Sequence, residues 1–540
     1  MEKQAVVFRQ KSLEFLLKKA HDFHEGYRQN IAILGDASTG KSTLLKNFIK
    51  KIEGEDIIPV FVEVLPFEFT LFCKRFLNNL LYNYLKKSQL LSSRENLTHL
   101  VQRTKGLLPV TFPLFENFLN KLEKEKPEIL FKELFNLLES FTEESQKKVC
   151  VILDEFQNIL EFGVKNLASE LGKRIMFEKN TLFIFSSSSK NAAKNILTND
   201  LSLLFGNFEV LELSMLDAPS SELLIKNRLE GIIISKEYIH FLIHFTGGHP
   251  FYLNALCTEA ALQCRLSNLS FIDRDILSST FEHLLFSEWG LFNLRFSNFL
   301  STLTTGRSKN DFVYILDAIA TGKNRLKDLT LVLRKQRKDI SLKLNRLMEA
   351  GIVVKNGSFY TLSDRLLTFW LKFVYHEKWC ALSPDHSEQA EHFKIKINAE
   401  MDEFISASKK DMAERMLDLF NQFEGDDILL DRKKCQLETF KELKILRFEN
   451  SNLKIGLFGK SQDRWWLTAI KEDGINEQDV NEFILLSKKF KNKMIQKVII
   501  GLGDIERNAH LLAKESRIMT WDIASLNNLL DLYGQPRIIR

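Results

Sequence analysis

A glycine-rich turn set between an apolar run and an amphipathic one constrains this chain more than any other feature. Asn30-Ile31-Ala32-Ile33-Leu34 leads directly into Gly35-Asp36-Ala37-Ser38-Thr39-Gly40-Lys41-Ser42-Thr43, which fits G-x-x-x-x-G-K-[ST] in a strand–loop–helix setting. Gly35 and Gly40 let the backbone curl so that its N–H groups face phosphate oxygens, and a helix starting near Lys41 turns its positive dipole end the same way. With 23 glycines in 540 residues an accidental match is rare, even before the setting is required. The loop is read as a cradle for ATP with Mg²⁺. Lys41 is expected to reach the β- and γ-phosphates and Ser42 to ligate the metal, with Ser38, Thr39 and Thr43 in the same cradle.

Such a loop needs a second strand bearing a carboxylate. Val149-Cys150-Val151-Ile152-Leu153-Asp154-Glu155 supplies one, with Asp154 placed to hold Mg²⁺ and Glu155 to orient the attacking water as general base. A third apolar run, Thr181–Phe185, ends in Ser186-Ser187-Ser188-Ser189. If that strand lies between the other two, Ser186 or Ser187 stands beside the γ-phosphate and senses it. The same serine run equally suits a helix N-cap.

These runs belong to a larger pattern. Candidate strands Asn30–Leu34, Ile58–Glu63, Val149–Leu153, Thr181–Phe185 and Phe208–Leu213 alternate with helical spacing, which indicates an α/β domain with a mostly parallel sheet over residues 1–214. Phe72, Phe76, Leu80 and Leu81 mark the stretch from Glu68 to Ser145 as a helical insertion. A helical subdomain is expected over 215–290, broken at Gly247–Pro250. Residues 291–385 read as helices followed by a hairpin about Asn356-Gly357. A helical linker, 386–410, leads to a second α/β domain at 411–540.

Composition fits this plan. Hydrophobic residues make up 45% and charged residues 27%, with 9 prolines, values inside the globular range. Apolar runs such as Val149–Leu153 stop far short of a bilayer span, and the charged first twenty residues lack a secretory signal, so a cytoplasmic location is expected. Six cysteines show no C-x-x-C pair and are read as reduced core residues.

The order Phe8-Arg9, phosphate loop, Val151–Gln157 (Val-Ile-Leu-Asp-Glu-Phe-Gln), serine-ended strand, Leu203-Leu204-Phe205-Gly206 and Thr246–Leu253 (Thr-Gly-Gly-His-Pro-Phe-Tyr-Leu) resembles the archaeal-type ATPases. These are STAND signalling NTPases within the AAA+-like P-loop group. The resemblance covers about residues 1–385 and implies a helical lid, a winged-helix domain and a nucleotide-driven switch that oligomerises on a trigger, a protein or a ligand. It also implies that Arg9, Gln157 and His249 lie near the nucleotide. His249-Pro250 reads equally as a helix-breaking turn after two glycines. Two positions depart from the pattern: Asn207 stands where members carry Arg, and Ser12 where an acid is usual. The first removes a phosphate contact and implies slow hydrolysis.

Residues 301–380 hold 15 Lys and Arg against 7 Asp and Glu, an excess of +8 where the whole chain carries +5, so the other 460 residues sum to −3. The cations Arg334, Lys335, Arg337, Lys338, Lys343 and Arg346 surround apolar positions at helical spacing just before the hairpin. Helix–turn–helix plus wing suits DNA contact, although winged helices also pack protein on protein. The tail resembles a restriction-endonuclease-like fold, whose active members use an Asp and a Glu-x-Lys. Here the matching positions are Gly456 and Ala469, leaving Lys471, so an inactive sensor or oligomerisation platform is expected. Glu472 or Asp463 could substitute only on a minority reading.

The whole therefore reads as a P-loop ATPase of the AAA+/STAND type with lid, winged helix and inactive nuclease-like domain. It binds ATP, hydrolyses it slowly, forms homo-oligomers and contacts DNA, with antiviral defence or mobile-element biology as its setting. An origin-recognition-like DNA-binding loader and a Mg²⁺-dependent nuclease are the alternatives.

Overall fold

The computed structural model describes residues 9–90, 95–164, 167–200, 208–303, 309–380, 385–430, 433–449, 451–490 and 495–540. Phe8, Leu203–Gly206 and Asn207 lie outside the described residues.

The chain forms two compact units, residues 1–220 with 249–251, and residues 221–248 with 252–540. In the first, β1 (Asn30–Leu34), β2 (Ile57–Glu63), β3 (Lys148–Asp154), β4 (Thr181–Ser187) and β5 (Phe208–Glu212) pair in parallel in the order β2-β3-β4-β1-β5. These are the five expected strands, within two residues at each end. The inner strands β1, β3 and β4 are buried on both faces and nearly continuously apolar, whereas the edge strand β5 leaves Glu209, Val210 and Glu212 exposed.

Side chains alternate between those faces. Ile31, Ile33, Ile152 and Ile184 pack with Leu13, Leu16, Leu44 and Phe48 of the helices Gln10–His24 and Lys41–Ile52. Val151, Leu153, Phe183 and Phe185 point the other way, into a cluster with the helices Phe69–Lys87, Leu97–Arg103, Phe112–Lys121 and Pro127–Ser145. The helical insertion thus packs on one face of the sheet, together with Leu167, Leu171 and Ile175 of the helix Leu167–Phe177. Ring contacts Phe76–Phe135 at 6.3 Å and Phe135–Phe183 at 6.5 Å carry the packing from helix to strand.

The second unit includes helices Lys236–Thr246 and Arg274–Phe281 and most of Pro250–Leu266, together with a two-residue parallel pair, β6 (Ile233–Ile234) with β7 (Phe271–Ile272), that the sequence pattern does not reveal. Helix Lys236–Thr246 ends in Gly247 and Gly248, both with positive φ. Further on, helices Leu326–Leu333 and Arg337–Glu349 precede an antiparallel hairpin of β8 (Val353–Asn356) and β9 (Phe359–Leu362). The 24-residue helix His386–Lys409 buries Phe393, Ile397, Met401 and Phe404, and Phe404 sits 4.7 Å from the His244 ring.

Two strands, β10 (Asp426–Leu430) and β11 (Lys433–Leu437), form a second hairpin. A five-stranded mixed sheet follows: β12 (Glu442–Arg447), β13 (Ile455–Lys460) and β14 (Trp465–Lys471) are antiparallel, and β14, β15 (Ile495–Gly501) and β16 (Ile518–Trp521) are parallel. Its faces again divide by alternation. Trp466, Ile470, Val498 and Ile500 meet helices Met412–Phe420 and Ile523–Leu532, while Leu467, Ala469 and Ile499 meet helices Glu477–Lys488 and Arg507–Glu515.

The hairpin over 353–362 forms where its Asn-Gly pair indicates, but its turn is occupied. Ser358 N donates to Asp427 O at 2.7 Å, and Leu429 N donates to Asn356 Oδ1 at 2.6 Å. Arg325 beneath it holds Asp426 bidentately at 2.9 and 2.8 Å. Gly357 has φ +59°, and a Cβ there would lie 1.9 Å from Asp427 O. Gly357→Ala is therefore expected to destabilise the second unit by about 1 to 3 kcal/mol, measured as a lower urea midpoint, through forced separation of hairpin and β10. Ser358→Ala, which removes one side-chain bond to Asp427 N, should cost about 1 kcal/mol.

Candidate active site

Strand order decides the site. Because β4 pairs with β1 on one side and β3 on the other, the C-terminal ends of three adjacent parallel strands deliver the phosphate loop, Ser186 and Asp154 to one place. Ser42 Oγ donates to Asp154 Oδ2 at 2.7 Å, and Ser186 Oγ donates to Asp154 Oδ1. Asp154 and Ser186 are both buried. A buried carboxylate requires such donors, since an unsatisfied one would be strongly disfavoured.

The loop closes around Lys41. Its ammonium donates to Gly35 O and Asp36 O, both at 2.9 Å, inside the ring the loop makes. Burial lowers the Lys41 pKa, against the raising influence of Glu155, Asp154 and Asp36. Gly40, the residue before the helix, has φ +94°, a conformation that glycine adopts without a Cβ penalty. Gly35 N donates to Ser187 O at 3.2 Å, and Thr39 Oγ1 to Asp36 O at 2.9 Å. Thr39 is buried, whereas Ser38 and Thr43 are exposed. Arg9 braces the loop from outside, donating to Thr39 O at 2.9 Å and Ser214 O at 2.5 Å, and burial lowers its pKa against Asp217.

Glu155 follows Asp154 with φ +53°. The turn swings its carboxylate onto the chain after β4: Oε2 accepts from Ser188 N at 3.0 Å, Ser188 Oγ at 2.5 Å and Gln157 Nε2 at 2.7 Å. Burial pushes the Glu155 pKa up, but the Ser188 hydroxyl, Gln157, the Ser188 N–H and Lys41 together hold it below the usual carboxylate range. Ser188 and Gln157 thus form a clamp on the acid. The sequence offered Ser188 only as part of a serine run and did not single it out.

That run divides by position. Ser186 faces Asp154, Ser187 Oγ donates to Ser189 O at 3.0 Å, Ser188 holds Glu155, and Ser189 caps the helix Lys190–Asn195 through Ala192 N. Of the two geometries open to this segment, the helix cap falls to Ser189, while Ser186 lies on Asp154. His249, buried, belongs to the same compact unit as the loop, with its ring 6.5 Å from that of Phe251.

Residues 7–256 match the family model described as an ATPase domain predominantly from Archaea. This part of the chain is an ATPase domain. Solved structures with a similar chain course include a Walker-type ATPase of Pyrococcus abyssi, at 16% identity and TM-score 0.46, covering 68% of this chain and 97% of that one. The ORC2 protein of Aeropyrum pernix, solved in ADPNP–ADP complexes, shares 12% identity at TM-score 0.43, with 74% and 96% covered. The RuvB Holliday junction branch migration motor of Thermotoga maritima shares 14% at TM-score 0.33, with 67% and 93% covered. No curated protein sequence matches the chain.

The ATPase domain presents a donor set that fits Mg²⁺. Among the described residues no group of three or more His, Cys, Asp or Glu could enclose a metal ion. Ser42 and Asp154 instead place two hard oxygen donors side by side, the arrangement that leaves most of an octahedron to phosphate and water.

In the second unit, Gly456 and Ala469 stand directly opposite each other on β13 and β14. Lys471 pairs with buried Asp479 at 2.6 Å, whose Oδ2 also accepts from Asn476 N at 2.9 Å as part of a helix capping box. Glu472 is exposed and pairs with Arg540, and Asp463 sits in an exposed turn. The structure does not bring these carboxylates together.

The depressed Glu155 pKa predicts a pH signature. A carboxylate held below its unfolded value contributes stability fully above about pH 4.3, and that contribution disappears as pH falls through the folded value. Urea unfolding of wild type and Glu155→Gln should therefore show a stability difference that shrinks below about pH 4.3. A difference independent of pH would mean that the clamp does not favour the charged form.

Proposed function

We propose that this chain is a slow, nucleotide-driven switch that binds Mg²⁺·ATP in the loop 35–43 and couples its nucleotide state to assembly and to DNA contact. The single observation behind the nucleotide site is the chain Ser42–Asp154–Ser186 beside Lys41 at three adjacent strand ends. Lys41 would exchange its contacts with Gly35 O and Asp36 O for phosphate oxygens. Ser42 and Asp154 would hold the metal, and Ser186 would remain on Asp154. The bound metal neutralises charge developing on the transferred phosphoryl group.

Glu155 would accept the proton of the attacking water. Its setting favours slow turnover: three donors draw on Oε2, leaving Oε1 to meet the water, and a pKa below the usual range makes the carboxylate a weak base near neutral pH. Ser188 and Gln157 are positioning residues in this reading. Lys41→Ala should abolish ATP binding. Glu155→Gln should keep binding and lower kcat about 10²-fold or more, read by equilibrium titration and phosphate release.

The basic region supports duplex contact through one surface. Arg334, Arg337, Lys338 and Arg346 are exposed around the turn and helix Arg337–Glu349. Lys335 and Lys343 are paired with Asp311, and the hairpin turn is docked on β10, so the helix rather than the wing would meet DNA. Replacing Arg337 and Lys338 together with Ala should weaken duplex binding and flatten the salt dependence by about two units of slope. Particle mass with and without ATP and duplex, in wild type and Glu155→Gln, tests the switch. Unchanged mass and no duplex binding in all conditions would reject it.

A further inference from the structure

The second unit contains a cavity of about 640 Å³ between the hairpin over 353–362, the helix Arg365–Trp370 and the C-terminal tail. That size falls in the range of small-molecule sites, about 300 to 1,000 Å³. Arg325, Arg365, Lys372 and Arg537 line it, as do Glu400, Glu424, Asp531 and His244, and Arg325 is already held by Asp426 and Glu424.

The charges in this region do not balance. Arg365 and Arg537 both converge on a single carboxylate, Asp531. Lys372 pairs with Glu400 at 3.5 Å. Arg415, which is 6% exposed, donates to the carbonyl of Pro536, itself a lining residue, at 2.5 Å. Burial pushes the Arg415 pKa down to about 10, with no carboxylate among the described residues opposing it.

Buried His244 reports the resulting field. Its ring accepts from Arg537 N at 3.2 Å and contacts Arg365 Nη2 at 3.1 Å. Burial lowers its pKa well below the usual value, and Arg365, Arg537, Arg415 and Lys372 all push in the same direction. Four cations, Arg325, Arg365, Lys372 and Arg537, and three carboxylates, Glu400, Glu424 and Asp531, line the space. An anion entering it would offset the remaining positive charge.

We propose that this cavity binds a small phosphate-bearing molecule, with its dianionic head seated against Arg365, Lys372 and Arg537. Guanidinium forks match phosphate oxygens in a plane, and the aromatic walls Tyr360 and Phe369 suit an organic remainder. None of the cavity's lining residues belongs to the nucleotide loop.

The test is calorimetric titration of the full chain carrying Lys41→Ala, which removes the loop's phosphate lysine, with inorganic phosphate and with AMP as probes. Binding of either probe is expected, weakened at least tenfold by adding Lys372→Ala or Arg537→Gln. AMP binding more tightly than phosphate supports an organic remainder against the aromatic wall, and equal affinity supports recognition of the phosphate head alone. If Arg537→Gln fails to fold, Lys372→Ala, at a half-exposed side chain, decides by itself. No heat with either probe, or binding unchanged by the lining substitutions, overturns the proposal.

Discussion

The insertion of β4 between β1 and β3 is the constraint on which the functional chemistry of this protein rests. Parallel pairing aligns Leu34 with Ser187 and Leu153 with Phe185, so the residues that follow each strand leave the sheet on the same side. Ser42 and Asp154, 112 positions apart in the chain, then come within 2.7 Å. Asp154 is buried there, and the hydroxyls of Ser42 and Ser186 satisfy it. The geometry that makes a buried carboxylate tolerable also preorganises oxygen donors for a divalent ion, because little has to move for one to be accepted. Glu155 escapes this arrangement by a left-handed turn of the backbone and is held by Ser188 and Gln157.

The same rule of two-faced burial organises both α/β parts of the chain. In the first unit, one face of the sheet packs on helices adjoining the phosphate loop and the other on the phenylalanine-rich insertion and the helix Leu167–Phe177. In the second, Trp466 and Leu467, neighbours on β14, enter different cores. In that second sheet Gly456 and Ala469 face each other on adjacent strands, and Lys471 neutralises Asp479 inside a capping box. A lysine and an acid that could suggest chemistry are here mutually satisfied.

Charge is also redistributed by folding. The surplus in residues 301–380 is real as a count, yet Lys335 and Lys343 share Asp311, Arg325 is locked to Asp426, and Arg365 pairs with Asp531. The turn and helix around Arg337 keep Arg334, Arg337, Lys338 and Arg346 exposed. A second concentration of positive charge lies inward, around His244 and the C-terminal tail, where low exposure strengthens every electrostatic interaction.

The amino-acid sequence by itself determined the local elements and the chemistry of the loop. The five strands of the first sheet, the insertion helices, the 353–362 hairpin and the final βα elements are all written in short-range periodicity and in turn residues such as Asn356-Gly357. Gly35, Gly40, Lys41, Ser42 and Asp154 were legible because phosphate and metal chemistry allows few alternatives at those spacings. Only the tertiary structure decided the order of the strands and the separate roles of Ser186, Ser188 and Ser189. It also decided the docking of the hairpin turn on Asp427 and the convergence of Arg365, Arg415 and Arg537 near His244. Each of these depends on contacts between residues far apart in the chain. Local periodicity specifies which face of an element is apolar, not which distant element will cover it.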